Sequence, residues 1–281
     1  MQPLLRTMDC FVGFASSQRR IFLPEGQDIL CHEGNFHLNF SIDENYQPIQ
    51  HGVMTDAASA SAILDRLRGR LIVSCQPVPG GPLDRTDVVV ALAQGVAEAG
   101  AAGLRIEGVE RVAAVCRAVK VPVIGIVKVD LPDSAVRITP HLHDVDALAA
   151  AGARIIAFDA TDRRRPVPVA DLIARIHDHG RIAMADVSTR AEGRAAAAAG
   201  ADIVASTLAG YVDGPSPTEP DLALVADLAA DGFVVIAEGN VRTPAQAASA
   251  LAAGAFAVVA GSAITRPEHV TRWFLDAIGD G

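Results

Sequence analysis

The feature that most constrains the fold is a repeated Ala-Gly-Ala, at Ala99-Gly100-Ala101, Ala151-Gly152-Ala153, Ala199-Gly200-Ala201 and Ala253-Gly254-Ala255. Its glycines lie 52, 48 and 54 residues apart, and each triplet stands a few residues before an apolar run. Glycine readily ends a helix in a left-handed turn, and the flanking alanines let that end pack closely on the next strand. Each interval holds a second apolar run near its middle, so the repeat counts out eight strand–helix units. The runs are Leu71–Gln76, Gly103–Ile106, Val123–Lys128, Ile155–Asp159, Ile182–Asp186, Ile203–Thr207, Val234–Glu238 and Ala257–Gly261. Separated by alanine-rich helical stretches, they predict an α/β protein, a (β/α)8 TIM barrel over residues 55–281, with a doubly wound open sheet as the lesser option. With only 4% aromatic residues and 50% hydrophobic ones, the core must be Ala, Val, Ile and Leu, the usual filling of helix-covered parallel strands.

Residues 1–54 differ: polarity is mixed, aromatics are scattered and no period of two or 3.6 is sustained. They are expected to form a poorly ordered N-terminal extension, with a short strand at Phe36, Leu38 and Phe40 at most. Met54, just before the first well-patterned segment, is an alternative translation start. Thr55 or Asp56 caps a predicted helix that runs through Ile63, Leu64 and Leu67 to Gly69 and closes the base of the barrel.

Val121–Val127 is apolar at every position, so it reads as a strand buried on both faces, and Lys128 at its end is out of place. Lysines of this kind usually snorkel into water. The other run ends decide against that reading here. Gln76, Arg105, Lys128, Asp159, Asp186, Thr207, Glu238 and Gly261 with Ser262 would all meet at one mouth, where barrel enzymes keep their sites. Asp186 or Thr207 alone is as readily a satisfied structural group as a functional one. Glu238-Gly-Asn-Val-Arg-Thr-Pro244 and Gly261-Ser-Ala-Ile-Thr-Arg-Pro267 are glycine turns leading into helix starts, where backbone amides favour an anion.

A formal charge of −9 argues against a general nucleic-acid or anionic-membrane binder. No apolar run approaches the roughly 20 residues of a membrane helix, and the N-terminus does not read as a signal peptide. Cys10, Cys31, Cys75 and Cys116 show no metal-ligand or disulfide spacing, which suits the cytoplasm. Cys75 alternates away from Gln76 and is expected in the core. His141 and His143 read as solvent-facing loop residues, and Arg163-Arg-Arg165 as a solvated charge run.

Ser74-Cys-Gln76, Arg105-Ile-Glu-Gly108, Gly125-Ile-Val-Lys128, Arg137-Ile-Thr-Pro140, Ala157-Phe-Asp-Ala160, Ala185-Asp186, Thr207-Leu-Ala-Gly-Tyr211, Glu219-Pro-Asp221, Ala237-Glu-Gly239 and Gly261–Pro267 together resemble the N-acetylmannosamine-6-phosphate 2-epimerase family. The likeness runs from about Leu64 to the C-terminus. It departs at Val129, where arginine is common, and at Ala209, where serine is common. The resemblance implies interconversion of N-acetylmannosamine 6-phosphate and N-acetylglucosamine 6-phosphate in sialic-acid catabolism, with no metal or redox cofactor, in a homodimer. It makes Lys128 the acid/base at C2 and Glu238 its acidic partner. Gln76, Arg105 and Asp159 would hold the amide and hydroxyls, Arg266 would close over the substrate, and Gly239, Asn240, Gly261 and Ser262 would hold the phosphate.

Opening the sugar ring places C2 beside an aldehyde, so its inversion becomes an enolisation. Neutral Lys128 can take the proton if burial or a cationic neighbour such as Arg105 lowers its pKa. Arg105 or Arg266 can stabilise the enolate oxygen. Glu238 either assists ring opening or serves the opposite face. Two other readings stand beside this one: a sugar-phosphate lyase or isomerase with a Schiff-base lysine, and a non-catalytic phosphosugar sensor.

Overall fold

Eight parallel strands close on themselves in the computed structural model, which describes residues 21–22, 28–29, 56–212 and 217–279. They are β3 (Leu71–Cys75), β4 (Gly103–Glu107), β5 (Val123–Ile126), β6 (Ile155–Asp159), β7 (Ile182–Asp186), β8 (Ile203–Ala205), β9 (Val235–Ala237) and β10 (Ala257–Ala260). Each pairs with the next in sequence, and β10 pairs back onto β3 with Val258 opposite Leu71. Closure excludes the open-sheet alternative.

Contacts divide the chain into units 1–52 and 53–281. In the first, the described residues are an antiparallel pair, β1 (Ile21–Phe22) and β2 (Asp28–Ile29), with Ile21 opposite Ile29. The strand expected at Phe36–Phe40, the rest of the expected extension and Met54 lie outside the described residues.

Helices α1 (Asp56–Leu67), α2 (Thr86–Glu98), α3 (Val109–Ala118), α4 (Leu142–Ala150), α5 (Val169–Asp178), α6 (Arg190–Ala198), α7 (Leu222–Ala230), α8 (Pro244–Ala252), α9 (Ser262–Thr265) and α10 (Pro267–Ile278) complete the second unit. The repeated glycine does what its position requires. Gly100, Gly152, Gly200 and Gly254 follow α2, α4, α6 and α8 with φ of 106°, 100°, 103° and 103°. The alanine after each returns its amide to a carbonyl five residues back, at Val96, Leu148, Ala196 and Ala250, closing the helix end.

Strand alternation sorts the core into two shells. Ile72, Ile124, Ile155, Ile182, Met184, Ile203, Ile236 and Val259 form the inner cluster, with Leu67 of α1 packed into it at the base as expected. Val73, Leu104, Ile156, Phe158, Val204, Val235 and Val258 form the outer cluster against the helices. Cys75 belongs to the outer shell, 1% exposed, and burial pushes its thiol up to about 12. Continuing the inward parity past the apolar residues reaches Ser74 and then Gln76 on the first strand, and Asp159, Asp186, Thr207, Glu238 and Gly261 on the others. The fold therefore aims a polar layer at one mouth.

Candidate active site at the barrel mouth

All ten residues singled out for the site, Gln76, Arg105, Lys128, Asp159, Glu238, Gly239, Asn240, Gly261, Ser262 and Arg266, line one cavity of about 650 Å³. They reach it at different depths. Arg105 is not a strand-end residue but the middle of β4, and its side chain is 1% exposed. Its Nη2 donates to Asp186 Oδ2 at 2.6 Å, and Nη1 is shared between Asp186 Oδ1 at 3.1 Å and Glu238 Oε2 at 2.8 Å. Asp186, fully buried, also accepts from Thr207 Oγ1 at 2.6 Å. Asp186 thus holds Arg105, a lining residue, from within the barrel without lining the cavity itself. Only its pairing with Arg105, 81 positions away, reveals this.

Lys128 stands two residues beyond the end of β5. The chain turns after it and returns, so that Lys128 bridges Ile138 in antiparallel fashion, Val129 donates to Arg137 O at 3.0 Å and Thr139 to Val127 O at 2.8 Å. Thr139 is fully buried at φ 47°, an uncommon conformation for a β-branched residue. Its hydroxyl donates to Ala157 O at 2.7 Å and accepts from Val127 N at 3.3 Å, tying the lysine segment to β6. The Arg137-Ile-Thr-Pro140 motif is the return arm that holds Lys128.

Lys128 Nζ donates to Gln76 Oε1 at 2.7 Å, Gln76 Nε2 donates to Ser74 Oγ at 2.7 Å, and Arg266 Nε donates to Gln76 O at 2.6 Å. Lys128 is exposed at the open mouth, with its amine held on Gln76. Desolvation there and the positive charges of Arg105 and Arg266 lower its pKa, against Glu107 and Glu238. Glu238 moves the other way. Burial, reinforced by Asp186 and opposed by Arg105 and Lys128, raises its carboxyl to about 7. An amine that gives up its proton more readily than an ordinary lysine and a carboxyl that keeps one near neutrality therefore line one cavity.

The sign of the Glu238 shift is testable. A carboxyl whose folded pKa lies above its unfolded value contributes stability that is complete below about 4.5 and lost as pH rises through about 7. Thermal melts of wild type and Glu238→Gln over that range should show wild type losing ground to the variant up to about pH 7 and no further change above it. Parallel curves throughout would contradict the raised pKa.

Asp159 is held more firmly than its sequence reading suggested. Its Oδ2 accepts from Arg163 Nη2 at 2.5 Å and its Oδ1 from Arg165 Nη2 at 3.4 Å. Thr161 adds its amide at 3.0 Å and its hydroxyl at 2.6 Å to Oδ1. The solvated-run reading therefore holds for Arg164, 79% exposed against Asp133, and fails for Arg163 and Arg165, which turn inward to a carboxylate that β6 supplies. His143 is exposed as expected. His141 is half-buried at the start of α4, with its ring stacked on His143 at 4.9 Å.

At the far end of the cavity, Gly239 and Asn240 turn with φ of 115° and 55°, and α8 follows with Thr243 and Gln246 closing its first turn. Gly261 begins α9, which Thr265 Oγ1 pins to Ser74 O of β3 at 2.8 Å. Gly239, Asn240, Gly261 and Ser262 of these two turns line the cavity, while the capping box of Thr243 and Gln246 takes up the amides of Arg242, Thr243 and Gln246. Arg242, quoted within a glycine-turn motif but given no role from sequence, and Trp273 also line this end, as do Tyr211 and His269. Among the described residues no group of three or more His, Cys, Asp and Glu side chains could hold a metal ion.

Fold and mouth together define a (β/α)8 barrel with an ionisable rim and two glycine turns beside it. Residues 89–280 match the family described as "Putative N-acetylmannosamine-6-phosphate epimerase". An Escherichia coli O9:H4 relative under the same description, as a 2-epimerase, is 57% identical over 210 residues, 75% of this chain and 92% of its own. The bifunctional enzyme NanE/NanK of Brucella melitensis is 60% identical over 217 residues, covering 77% of this chain but 42% of its own length, so the chain spans less than half of that relative. The solved N-acetylmannosamine-6-phosphate 2-epimerase of Clostridium perfringens superposes with a TM-score of 0.74 at 39% identity, over 76% of this chain and 96% of its own. The chain belongs to the N-acetylmannosamine-6-phosphate epimerase family.

Proposed function

We propose that this barrel interconverts N-acetylmannosamine 6-phosphate and N-acetylglucosamine 6-phosphate by removing and returning the proton at C2. The observation that carries the reading is that an amine and a buried carboxyl, Lys128 and Glu238, line one cavity, their pKa values shifted in opposite directions. In the open-chain sugar, neutral Lys128 takes the C2 proton from one face as the electron pair moves into the aldehyde, giving an enolate. Protonated Glu238 returns a proton to C2 from the opposite face as the carbonyl re-forms, leaving ammonium and carboxylate for the reverse direction.

Arg105 sets both groups at once, since its charge disfavours the ammonium form of Lys128 and favours the ionised form of Glu238. With its Nη atoms turned onto Asp186 and Glu238, it supports the acid from beneath. Arg266, half-buried above Gln76, is the better placed of the two arginines to meet the enolate oxygen. Gln76 aligns Lys128, and Asp159 with its arginine clamp offers a rigid polar wall to the sugar hydroxyls. A sugar filling the cavity would complete the desolvation that the open mouth leaves partial.

Gly239, Asn240, Gly261 and Ser262 hold the phosphate in this account, and binding at that end keeps C2 against Lys128. Unphosphorylated N-acetylmannosamine should therefore react with kcat/KM reduced by at least about a hundredfold, the loss of two charged hydrogen bonds. Epimerisation assays on both sugars check this, and comparable turnover of the free sugar would remove the phosphate assignment.

We propose residues 55–281 as the catalytic unit, acting in the cytoplasm as a homodimer. Phe274 and Ile278, 69% and 75% exposed on α10, are apolar surface that such an association could cover. Among the described residues no helix is long and apolar enough to cross a membrane. Light scattering should give twice the 29.2 kDa chain mass, and a monomer mass would remove the dimer.

A further inference from the structure

Five arginines line the cavity, and three of them are committed to carboxylates: Arg105 to Asp186 and Glu238, Arg137 to Asp130 at 2.6 Å, and Arg163 to Asp159 at 2.5 Å. Arg266 is engaged at Gln76 O. Arg242 forms no ion pair among the described residues, yet it is firmly seated. Its guanidinium carbon lies 4.9 Å from the centre of the Trp273 ring, and its Nη2 donates to Asn240 Oδ1 at 3.3 Å. Asn240 in turn donates through Nδ2 to the Tyr211 hydroxyl at 3.0 Å.

We propose that Arg242 is an anion-binding arm of the phosphate end, a guanidinium held ready on Trp273 and Asn240 to grip the phosphate dianion of the sugar phosphate. The inference rests on the reading of Gly239, Asn240, Gly261 and Ser262 as the phosphate site. A chain of net charge −9 repels a dianion at long range, so a cation without a carboxylate partner at this end supplies the local attraction that amides alone do not. The planar fork matches phosphate oxygens two at a time, as a lysine or a glycine turn cannot. Stacking on the indole orients the group before the ligand arrives, which reduces the ordering that binding must impose. A purely structural tie between the β9–α8 turn and α10 is the competing explanation, and it predicts no dependence of phosphate affinity on charge.

The test is the affinity of the full chain for inorganic phosphate, measured by titration calorimetry at fixed ionic strength. Fluorescence of Trp273, the chain's only tryptophan, reports that the ion arrives beside the arginine. Arg242→Gln is expected to weaken binding about tenfold or more, the loss of charged hydrogen bonds to the ion. Arg242→Met, which keeps an apolar stem against Trp273, should lose as much, and Arg242→Lys should recover part of it. Melting curves of each variant verify the fold. Unchanged affinity in the folded Gln or Met variant overturns the proposal, as does a wild type that binds no phosphate. Turnover of N-acetylmannosamine 6-phosphate by a protein whose Arg242→Gln form binds phosphate normally would remove the arm and leave the epimerase. Phosphate binding through Arg242 without turnover would do the reverse.

Discussion

Replacing Lys128 by methionine is expected to lower kcat for epimerisation by roughly 10²–10⁴-fold, the contribution of a positioned acid–base group, with little change in KM. Methionine keeps an unbranched stem one atom shorter and removes the amine, with its charge and its hydrogen bond to Gln76 Oε1. The segment that carries residue 128 is anchored through backbone bonds to 137–139 and through Thr139 to β6, so the variant should fold as wild type does. Steady-state assays in both directions measure the effect. A rate within about tenfold of wild type would mean that another group takes the proton.

Asp186→Ala should produce the largest loss of stability of any single change at the mouth, about 3–5 kcal/mol. Asp186 is fully buried and accepts from both Nη atoms of Arg105 and from Thr207, so its removal leaves a buried guanidinium with Glu238 as its remaining carboxylate. Arg105 Nε already has no partner, which leaves little slack for a further loss. Urea unfolding measures the difference. Removing Arg105 and Asp186 together should cost less than the sum of the single changes, because the pair is buried as a unit. A single-variant loss below about 1 kcal/mol would show the network to be replaceable by water.

Most of the barrel was legible because its causes are local. A glycine that ends a helix must sit where the helix ends, and buried parallel strands must be apolar on both alternations, so the repeat and the runs locate α2, α4, α6, α8 and the eight strands within a residue or two. The polar layer followed from strand parity: Asp159, Asp186, Thr207 and Glu238 continue the inward face of their strands. What could not be read depends on partners distant in sequence. Lys128 looked like a strand end, yet β5 stops at Ile126, because the antiparallel return at Ile138 captures the next residues. Arg163 and Arg165 looked solvated because nothing near them in sequence shows that the Asp159 carboxylate is buried beside them. Arg242 carried only the faint signal of a cation after a glycine turn, and its seat, Trp273, lies 31 positions on in α10.

The measurement that tests the central claim most directly is proton NMR of N-acetylmannosamine 6-phosphate incubated with the protein in D2O. The account predicts the gluco epimer with solvent deuterium at C2 and the absence of both in Lys128→Met. Formation of the gluco epimer with the original proton retained at C2, or no new epimer from a folded protein that binds the sugar phosphate, would contradict proton transfer at this carbon.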